Sequence, residues 1–338
     1  MNILVIGGAG YVGSHAAHYL ENQGHAVWVY DSLVNGHRQA VLPGRLIEGD
    51  VADRETLEDA LREKRIEAVM HFAAFSLVGE SVTDPAKYYR NNISNTIGLL
   101  DSLRRLGIKK FVFSSTTATY GEPDRIPITE DTPQNPINTY GFTKLVVEHA
   151  LADYARAYGL GYAALRYFNA AGAHPDGHIG EDHRPETHLI PIVLQVALGQ
   201  RDDITVFGED YATDDGTCVR DYIHVMDLAS AHLAALELLQ PGQGICVNVG
   251  TGRGTSVREV IDACREVTGH DIPVILGERR EGDPPKLIAD ATLARNLLGW
   301  TPEFTSMKSI VQTAWNWHKD HPNGYTEDST VLQSMTVL

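Results

Sequence analysis

The sequence predicts an α/β fold, a doubly wound parallel sheet with a second, smaller substrate-binding domain beside it. Three observations carry that expectation. Apolar runs alternate with helix-patterned segments through the first half, which is how a parallel sheet covered on both faces reads. The turn Gly7-Gly8-Ala9-Gly10-Tyr11-Val12-Gly13 joins the first apolar run directly to the first helical pattern. From Gly172 onward the texture changes, and 338 residues exceed the usual length of one domain.

Residues 2–6 are an apolar run and read as the first strand; 11–23 carry a helical pattern, and 26–30 are the second strand. A short strand at 45–49 is followed by a helix at 54–64 and a strand at 68–72. A long helix follows Asp84-Pro85 and runs to Leu106, since proline favours the first helical turn. Residues 109–114 read as a buried strand, 141–158 as a helix with small residues on one face, and 162–168 as the next strand. Residues 174–186, rich in His, Gly, Asp and Pro, are expected to form a long irregular, solvated loop. Helices follow at 189–198, entered through Pro191, and at 225–239. Residues 246–250 look like a further strand of the first sheet, so the chain is expected to return there. A helix at 257–268, a loop with Pro284-Pro285 and two short helices complete the pattern. The expected division is 1–172 with 222–250 for the first domain and 173–221 with 251–325 for the second, with 326–338 a frayed tail.

Composition narrows the function. With 43% hydrophobic and 21% charged residues the chain can bury a core, which excludes general disorder. No apolar run approaches the ~20 residues of a membrane span, and the start shows no basic, cleavable leader. A balance of 28 basic against 44 acidic residues, net −16, argues against nucleic acid and acidic membranes as partners. A phosphate ligand would therefore need placed arginines and backbone amides. Cys218, Cys246 and Cys264 lie far apart with no CxxC pair, giving neither a disulfide framework nor a cysteine zinc site. The expectation is a soluble cytoplasmic protein.

The glycine turn has the form of a dinucleotide fingerprint. Gly7 makes the tight turn, Gly10 lets a pyrophosphate approach the backbone, and Gly13 packs helix on strand, which is the logic of the Rossmann fold. The helix N-terminus supplies amide donors and partial positive charge to phosphates. Asp31 ends the second strand, where a carboxylate accepts ribose hydroxyls and repels the extra phosphate of NADP. The cofactor expected is NAD.

Tyr140 and Lys144 stand four apart, on one helix face. The strand before that helix ends in Ser114-Ser115-Thr116-Thr117, placing hydroxyls at a strand C-terminus, where doubly wound sheets bind ligands. A free tyrosine, with pKa ~10, is a poor base at neutral pH. A lysine ammonium and the positive nicotinamide of NAD⁺ would both stabilise its phenolate. Thr116 can orient the same substrate hydroxyl. Together the three can take a proton from a carbinol while NAD⁺ takes the hydride.

These residues resemble the extended short-chain dehydrogenase/reductases, and further blocks narrow the likeness to the UDP-glucose 4-epimerase family. The blocks are Asp50-Val51, His71-Phe72-Ala73-Ala74, Val78-Gly79-Glu80-Ser81, Asn91-Asn92, Arg166-Tyr167-Phe168-Asn169, Gly208, Arg220-Asp221-Tyr222-Ile223-His224-Val225 and Arg279-Arg280-Glu281-Gly282-Asp283. They run through almost the whole chain. The resemblance implies that Tyr11, Val12, Ser32, Asn35, Asp50 and Val51 join Asp31 around the adenosine and pyrophosphate. It places Phe72, Ala73, Ala74 and Asn91 along the other side of the cofactor, with Phe168 near the nicotinamide. Some members carry a lysine where this chain has Ser76, so a phosphate or ribose contact there is weakened. For the substrate, a UDP-sugar, it implies Arg220 and Arg280 on the diphosphate, where guanidinium forks suit phosphate oxygens. Asp283 would take a ribose hydroxyl, Asn169 the diphosphate or sugar, and Leu189 with Thr205-Val206-Phe207 the uracil. His188 stands where other members have asparagine.

Three further readings follow from the same likeness. A 4,6-dehydratase of this scaffold would carry an Asp-Glu pair after the threonine, and Thr117-Ala118 occupy those places. Leu287 falls where the family sets pocket size: tyrosine there goes with hexose-only enzymes and small residues with acceptance of N-acetylated sugars. The helices 92–106 and 142–158 resemble the pair that forms a four-helix homodimer interface; Leu99, Leu103, Val147, Leu151 and Tyr154 recur there at helical spacing, as a stripe that faces either a partner or the core. Last, His174, His178, His183 and His188 fall close together, but their spacing on a Gly/Pro loop fits no regular zinc pattern, and no metal is expected.

Overall fold

The computed structural model describes residues 1–326 apart from Glu281. The predicted tail at 326–338 therefore lies, but for Thr326, outside the described residues. The first half alternates as expected: β1 (Asn2–Ile6), α1 (Tyr11–Asn22), β2 (Ala26–Asp31), β3 (Leu46–Glu48), α2 (Arg54–Glu63), β4 (Ala68–His71), α3 (Val78–Thr83), α4 (Pro85–Tyr88), α5 (Asn95–Leu106), β5 (Lys110–Thr116), α6 (Thr139–Tyr158) and β6 (Gly161–Tyr167). Then come β7 (Asn169–Ala171), α7 (Leu189–Ala197), β8 (Ile204–Phe207), β9 (Val219–His224), α8 (Val225–Leu238) and β10 (Gly244–Val249). The chain continues through β11 (Gly254–Ser256), α9 (Val257–Thr268), β12 (Val274–Gly277), β13 (Lys286–Leu287), α10 (Thr292–Leu298) and α11 (Met307–Asp320).

Seven of these strands form one parallel sheet in the order β10-β6-β5-β4-β1-β2-β3. The chain runs outward from β1 through β2 to β3, then returns to lay β4 on the other side of β1. That reversal leaves a crevice at the C-terminal ends of β1 and β4. Period-two alternation feeds two cores. Ile3 and Val5 face one way, with Leu20 of α1 and Leu228 and Leu236 of α8. Leu4 and Ile6 face the other, with Leu57 of α2, Leu99 and Leu103 of α5, and Val147 and Leu151 of α6. A second unit has its own core of Val193, Leu194, Val260, Ile261, Ile310 and Val311 from α7, α9 and α11. Two small sheets flank it, β11-β9-β13 with β7 on β9, and β12-β8.

Four readings need correction. The proposed dimer stripe faces inward: Leu99, Leu103, Val147 and Leu151 are each 0% exposed and pack under the main sheet. Helical spacing marks an apolar face but does not say what covers it. The long helix after Pro85 is interrupted by a π turn at Tyr89–Ser94. There Asn92 turns inward, donating to Phe75 O (3.0 Å) and Thr143 Oγ1 (3.1 Å) and accepting from Phe75 N (3.0 Å), an insertion typical of functional sites. The strands β7, β8, β9, β11, β12 and β13 escape the sequence pattern because they are only two to six residues long, too short for a periodic signal. Finally, the loop at 174–186 is irregular but not solvated throughout, since His174 and Glu181 are buried. Among the described residues no helix is long and apolar enough to cross a membrane.

A buried polar network locks α6 to the sheet. Glu148 of α6 accepts from Arg166 of β6 on both oxygens, Nε at 3.0 Å and Nη2 at 2.6 Å, and from Ser115 Oγ of β5 at 2.5 Å. Arg166 Nη1 donates to the Tyr120 hydroxyl (2.8 Å), which donates to Asn248 Oδ1 of β10 (2.7 Å). Removing one partner of a buried pair strands the other charge without water, at a cost of ~3–5 kcal/mol. Glu148→Leu should therefore lower unfolding stability by about that amount, read as an earlier urea midpoint at unchanged slope. A loss under ~1 kcal/mol would mean that Arg166 finds water or other acceptors instead.

Candidate active site

The crevice opens into one cavity of about 1280 Å³, larger than the ~300–1,000 Å³ of an ordinary single-ligand cleft. The loop between β1 and α1 forms its floor. Gly7 has φ +78°, and a Cβ there would collide with the Ala73 backbone nitrogen; one on Gly13 would collide with the Gly7 carbonyl. Gly10 meets only the Gly7 carbonyl, at 3.4 Å, so its outer side is open to a ligand. No side chain caps α1 at Gly10, which leaves the first amides of the helix as donors. Asp31 stands beside this turn, Oδ2 accepting from Ala9 N (2.9 Å) and Oδ1 from Leu33 N (2.8 Å). Burial raises its pKa, and those two amides pull it back. A cradle emptied of side chains, free helix amides and a fixed carboxylate fit a dinucleotide.

The remaining predicted cofactor residues line the same cavity: Tyr11, Val12, Ser32, Asn35, Asp50, Val51, Phe72, Ala73, Ala74, Ser76, Asn91 and Phe168, with Thr116, Tyr140 and Lys144. Tyr140 opens α6, where the Asn138 side chain caps the helix by accepting from Gly141 N at 2.8 Å. The Tyr140 amide donates to Ser81 Oγ at 3.1 Å. A Cβ on Gly141 would collide with the Ala118 carbonyl, so only glycine lets α6 come this close to the end of β5. Burial pushes the Tyr140 hydroxyl up to about 12, with the Thr116 side chain pulling the other way. Burial also brings Lys144 down to about 7, with Glu148 opposing. Lys144 Nζ donates to the Ser114 carbonyl (2.8 Å) and lies 5.8 Å from the Tyr140 ring centre. It makes no hydrogen bond to the phenol oxygen, so of the two positive charges expected to stabilise the phenolate, the ammonium acts from behind the ring rather than at the oxygen.

On the substrate side the cavity gathers Asn169, His188, Arg220, Asp283 and Leu287. Parallel pairing of β13 with β9 sets Leu287 opposite Arg220, and Arg220 Nη2 donates to Asp283 Oδ1 at 2.7 Å. Leu287 also packs on Tyr120, Ile128 and Phe168. Leu189, Thr205, Val206, Phe207 and Arg280 are not brought to the cavity wall. Val206 is buried in the second core, and the Arg280 guanidinium lies 4.0 Å over the Phe207 ring. The positions after Thr116 that line the wall, Thr117 and Ala118, supply no acid.

Sequence reading missed one wall of the cavity, built by His37, Glu181, Asp182, His183, Arg184 and Tyr325. His37 stacks on Tyr325 at 4.7 Å, and its Nε2 donates to the Asp182 carbonyl (3.0 Å). Burial would lower His188 and His183, but Glu181 and Glu186 outweigh it and hold them up at about 11 and about 9. No periodic pattern exists in that loop to announce these contacts.

A cleft of this build on a doubly wound sheet defines a nicotinamide-dependent enzyme of the tyrosine-lysine type. Residues 3–250 match the family described as NAD dependent epimerase/dehydratase, and the chain belongs to that family. Within it the likeness is to UDP-glucose 4-epimerases. The one from Halalkalibacterium halodurans is 54% identical over 330 residues, 97% of this chain and 99% of its own. The structure of a UDP-glucose 4-epimerase from Brucella ovis in complex with NAD is 52% identical with a TM-score of 0.90, covering 93% of this chain and 97% of that one. One from Bifidobacterium longum in complex with NAD⁺ and UDP is 39% identical with a TM-score of 0.91, covering 96% and 100%.

The cofactor is NAD, which gives Tyr140 a specific titration. Without dinucleotide the Tyr140 hydroxyl should stay protonated until about pH 12. With NAD⁺ bound, its positive ring should bring ionisation to lower pH, and reduction to NADH should reverse this. Tyrosinate absorbance against pH, with Tyr140→Phe as the blank, measures it. Identical curves for the oxidised and reduced complexes would remove the ring charge from the explanation.

Proposed function

We propose that the chain interconverts UDP-glucose and UDP-galactose through a 4-keto sugar, as an isomerase that retains its NAD. The observation that carries this reading is the pairing of Tyr140 and Thr116 on the dinucleotide cavity with no acid at Thr117 or Ala118. The constellation can oxidise and re-reduce a carbinol but cannot drive elimination. NAD, when bound, supplies reversible hydride acceptance. Tyr140 takes the proton of the sugar 4-hydroxyl and later returns it, Thr116 orients that hydroxyl, and Lys144 adds positive charge behind the phenol. Arg220, with Arg280, meets the diphosphate; Asp283 meets ribose; and Asn169, His188 and Leu189 with Thr205, Val206 and Phe207 complete the nucleotide-sugar side. For Leu189, Arg280 and the Thr205–Phe207 segment this requires a movement towards the cavity on binding. The keto sugar turns about its diphosphate link between the two half-reactions, and the width of the cavity favours that. Redox cancels over a turnover, so no free NADH accumulates.

The two-part chain divides this work: 1–172 with 222–250 holds the cofactor, and 173–221 with 251–325 holds the UDP-sugar. A homodimer in the cytoplasm completes the reading. With the inward stripe excluded, its surface is the outer side of α3, the π turn and α6, where Val82, Tyr89, Phe142 and Tyr158 are all exposed.

The test is to incubate purified protein with UDP-sugars without added cofactor and to identify epimers by chromatography. Stoichiometric NADH release would make it a net dehydrogenase instead. Tyr140→Phe removes the base and should cost at least ~10² in turnover; near-normal rates would sink the assignment. Leu287 favours a secondary activity on UDP-N-acetylhexosamines, because leucine leaves space that tyrosine would fill. Leu287→Tyr should therefore cut N-acetylhexosamine turnover relative to hexose turnover by roughly 5- to 150-fold, the equivalent of ~1–3 kcal/mol of overpacking. An unchanged ratio would remove Leu287 as the gate and leave the epimerase reading standing.

A further inference from the structure

The loop between β7 and α7 gathers four side chains to which the reaction gives at most one role, that of His188. Glu181, His183, Glu186 and His188 each offer one donor atom, and the four atoms lie within 4.8 Å of one another. His188 Nδ1 is 2.9 Å from Glu181 Oε1 and 3.0 Å from Glu186 Oε1. His183 Nδ1 is 3.2 Å from Glu181 Oε1 and 3.7 Å from Glu186 Oε2. Two Nδ1 atoms carry at most one proton each, so these four approaches outnumber the protons available to fill them. Alignment is also poor. Glu181 Oε1 and His183 Nδ1 are buried and neither has a hydrogen-bond partner, although Glu181 is only 5% exposed. Four potential ligand atoms are thus crowded together with two of them unpartnered, and an ion that displaced the imidazole protons would satisfy them.

We propose that this quartet is a structural site for a divalent first-row cation of the zinc class. Zinc binds imidazole nitrogen and carboxylate oxygen at ~2.0–2.2 Å in a tetrahedron, whose edges are then about 3.3–3.6 Å. The histidine-carboxylate separations run from 2.9 to 3.7 Å, with Glu186 approaching the two imidazoles through different oxygens, and the whole set lies within 4.8 Å, so a small contraction would close it around an ion. Two imidazoles with two carboxylates suit zinc and its neighbours, whereas calcium and magnesium take oxygen alone. The ligands are held from behind. Glu186 Oε1 accepts from Thr187 N (2.7 Å) and His188 N (2.8 Å), and Trp317 Nε1 donates to the Glu181 carbonyl (3.3 Å). Four protein ligands close the site, so the ion staples the loop rather than binding substrate. Glu181, His183, Arg184 and His188 line the main cavity, and the staple therefore fixes that wall. The site stands on these four side chains and does not depend on which sugar is used.

The experiment uses the untagged full chain, dialysed against a chelator and titrated with Co²⁺ at neutral pH. One Co²⁺ per chain is expected, with the intense visible bands of a tetrahedral ion, displaced by Zn²⁺. Glu186→Gln and Glu181→Gln should each weaken Co²⁺ binding at least ~10-fold. His178→Gln, in the neighbouring trio His174, Asp176 and His178, should leave it unchanged. Zn²⁺ should raise the Tm of the unaltered chain and not that of Glu186→Gln. The proposal is overturned if the folded, unaltered chain binds no stoichiometric Co²⁺ or gives only the pale bands of an octahedral ion. It is equally overturned if binding survives Glu186→Gln and is lost in His178→Gln. Should both Glu variants fail to fold, the spectrum of the unaltered chain still decides.

Discussion

The catalytic geometry depends on a charge pair that never meets the substrate. Glu148 and Arg166 join the middle of α6 to β6, and Ser115 ties the same carboxylate to β5. Two turns earlier on α6 is Tyr140, and one residue on from Ser115 along β5 is Thr116. The distance between base and hydroxyl is thus set by a rigid frame rather than by the loop from Thr117 to Asn138 that connects them. Lys144 lies between the frame and the site, its ammonium on the Ser114 carbonyl. Burial makes the frame costly if broken and specific while whole.

A second constraint is steric. Gly7 and Gly13 are held so close to Ala73 and to each other that a side chain at either would displace β4 or α1. The same closeness brings helix amides, the Asp31 carboxylate and the ends of β4 and β5 onto one crevice. Catalysis and cofactor binding therefore share their positioning elements. The buried phenol of Tyr140 resists ionisation on its own, which makes the cofactor part of the base rather than only its redox partner.

Where local pattern and tertiary role coincide, the sequence was readable. The main-sheet strands are apolar runs, the glycine turn sits between a strand and a helix, and all the residues expected around the dinucleotide line one cavity. Where the role depends on contacts distant in sequence, it was not. The stripe from Leu99 to Leu151 reads the same whether a sheet or a partner covers it. The π turn at Tyr89–Ser94 arises because Asn92 must reach Phe75 and Thr143, which no local propensity encodes. In the loop of histidines, spacing along the chain pointed away from a cluster, because Glu181 and Glu186 meet His183 and His188 only through the folding of an irregular loop. Arg280 was legible as a guanidinium but not as one lying over Phe207.

The position of β10 has a consequence for how the molecule is made. Its neighbour in the sheet is β6, yet the segment from Phe168 to Gln243, with half of each small sheet and two helices, is synthesised between them. Until Gly244–Val249 emerges, β6 is an open parallel edge presenting Tyr162 to Tyr167 unpaired, and α8 has only just arrived to cover its face. Such an edge is a template for another nascent chain, and long-range parallel pairing forms slowly. Completion of the cofactor half thus waits on elongation through much of the substrate half, and the chain is most vulnerable to aggregation during translation of that intervening stretch.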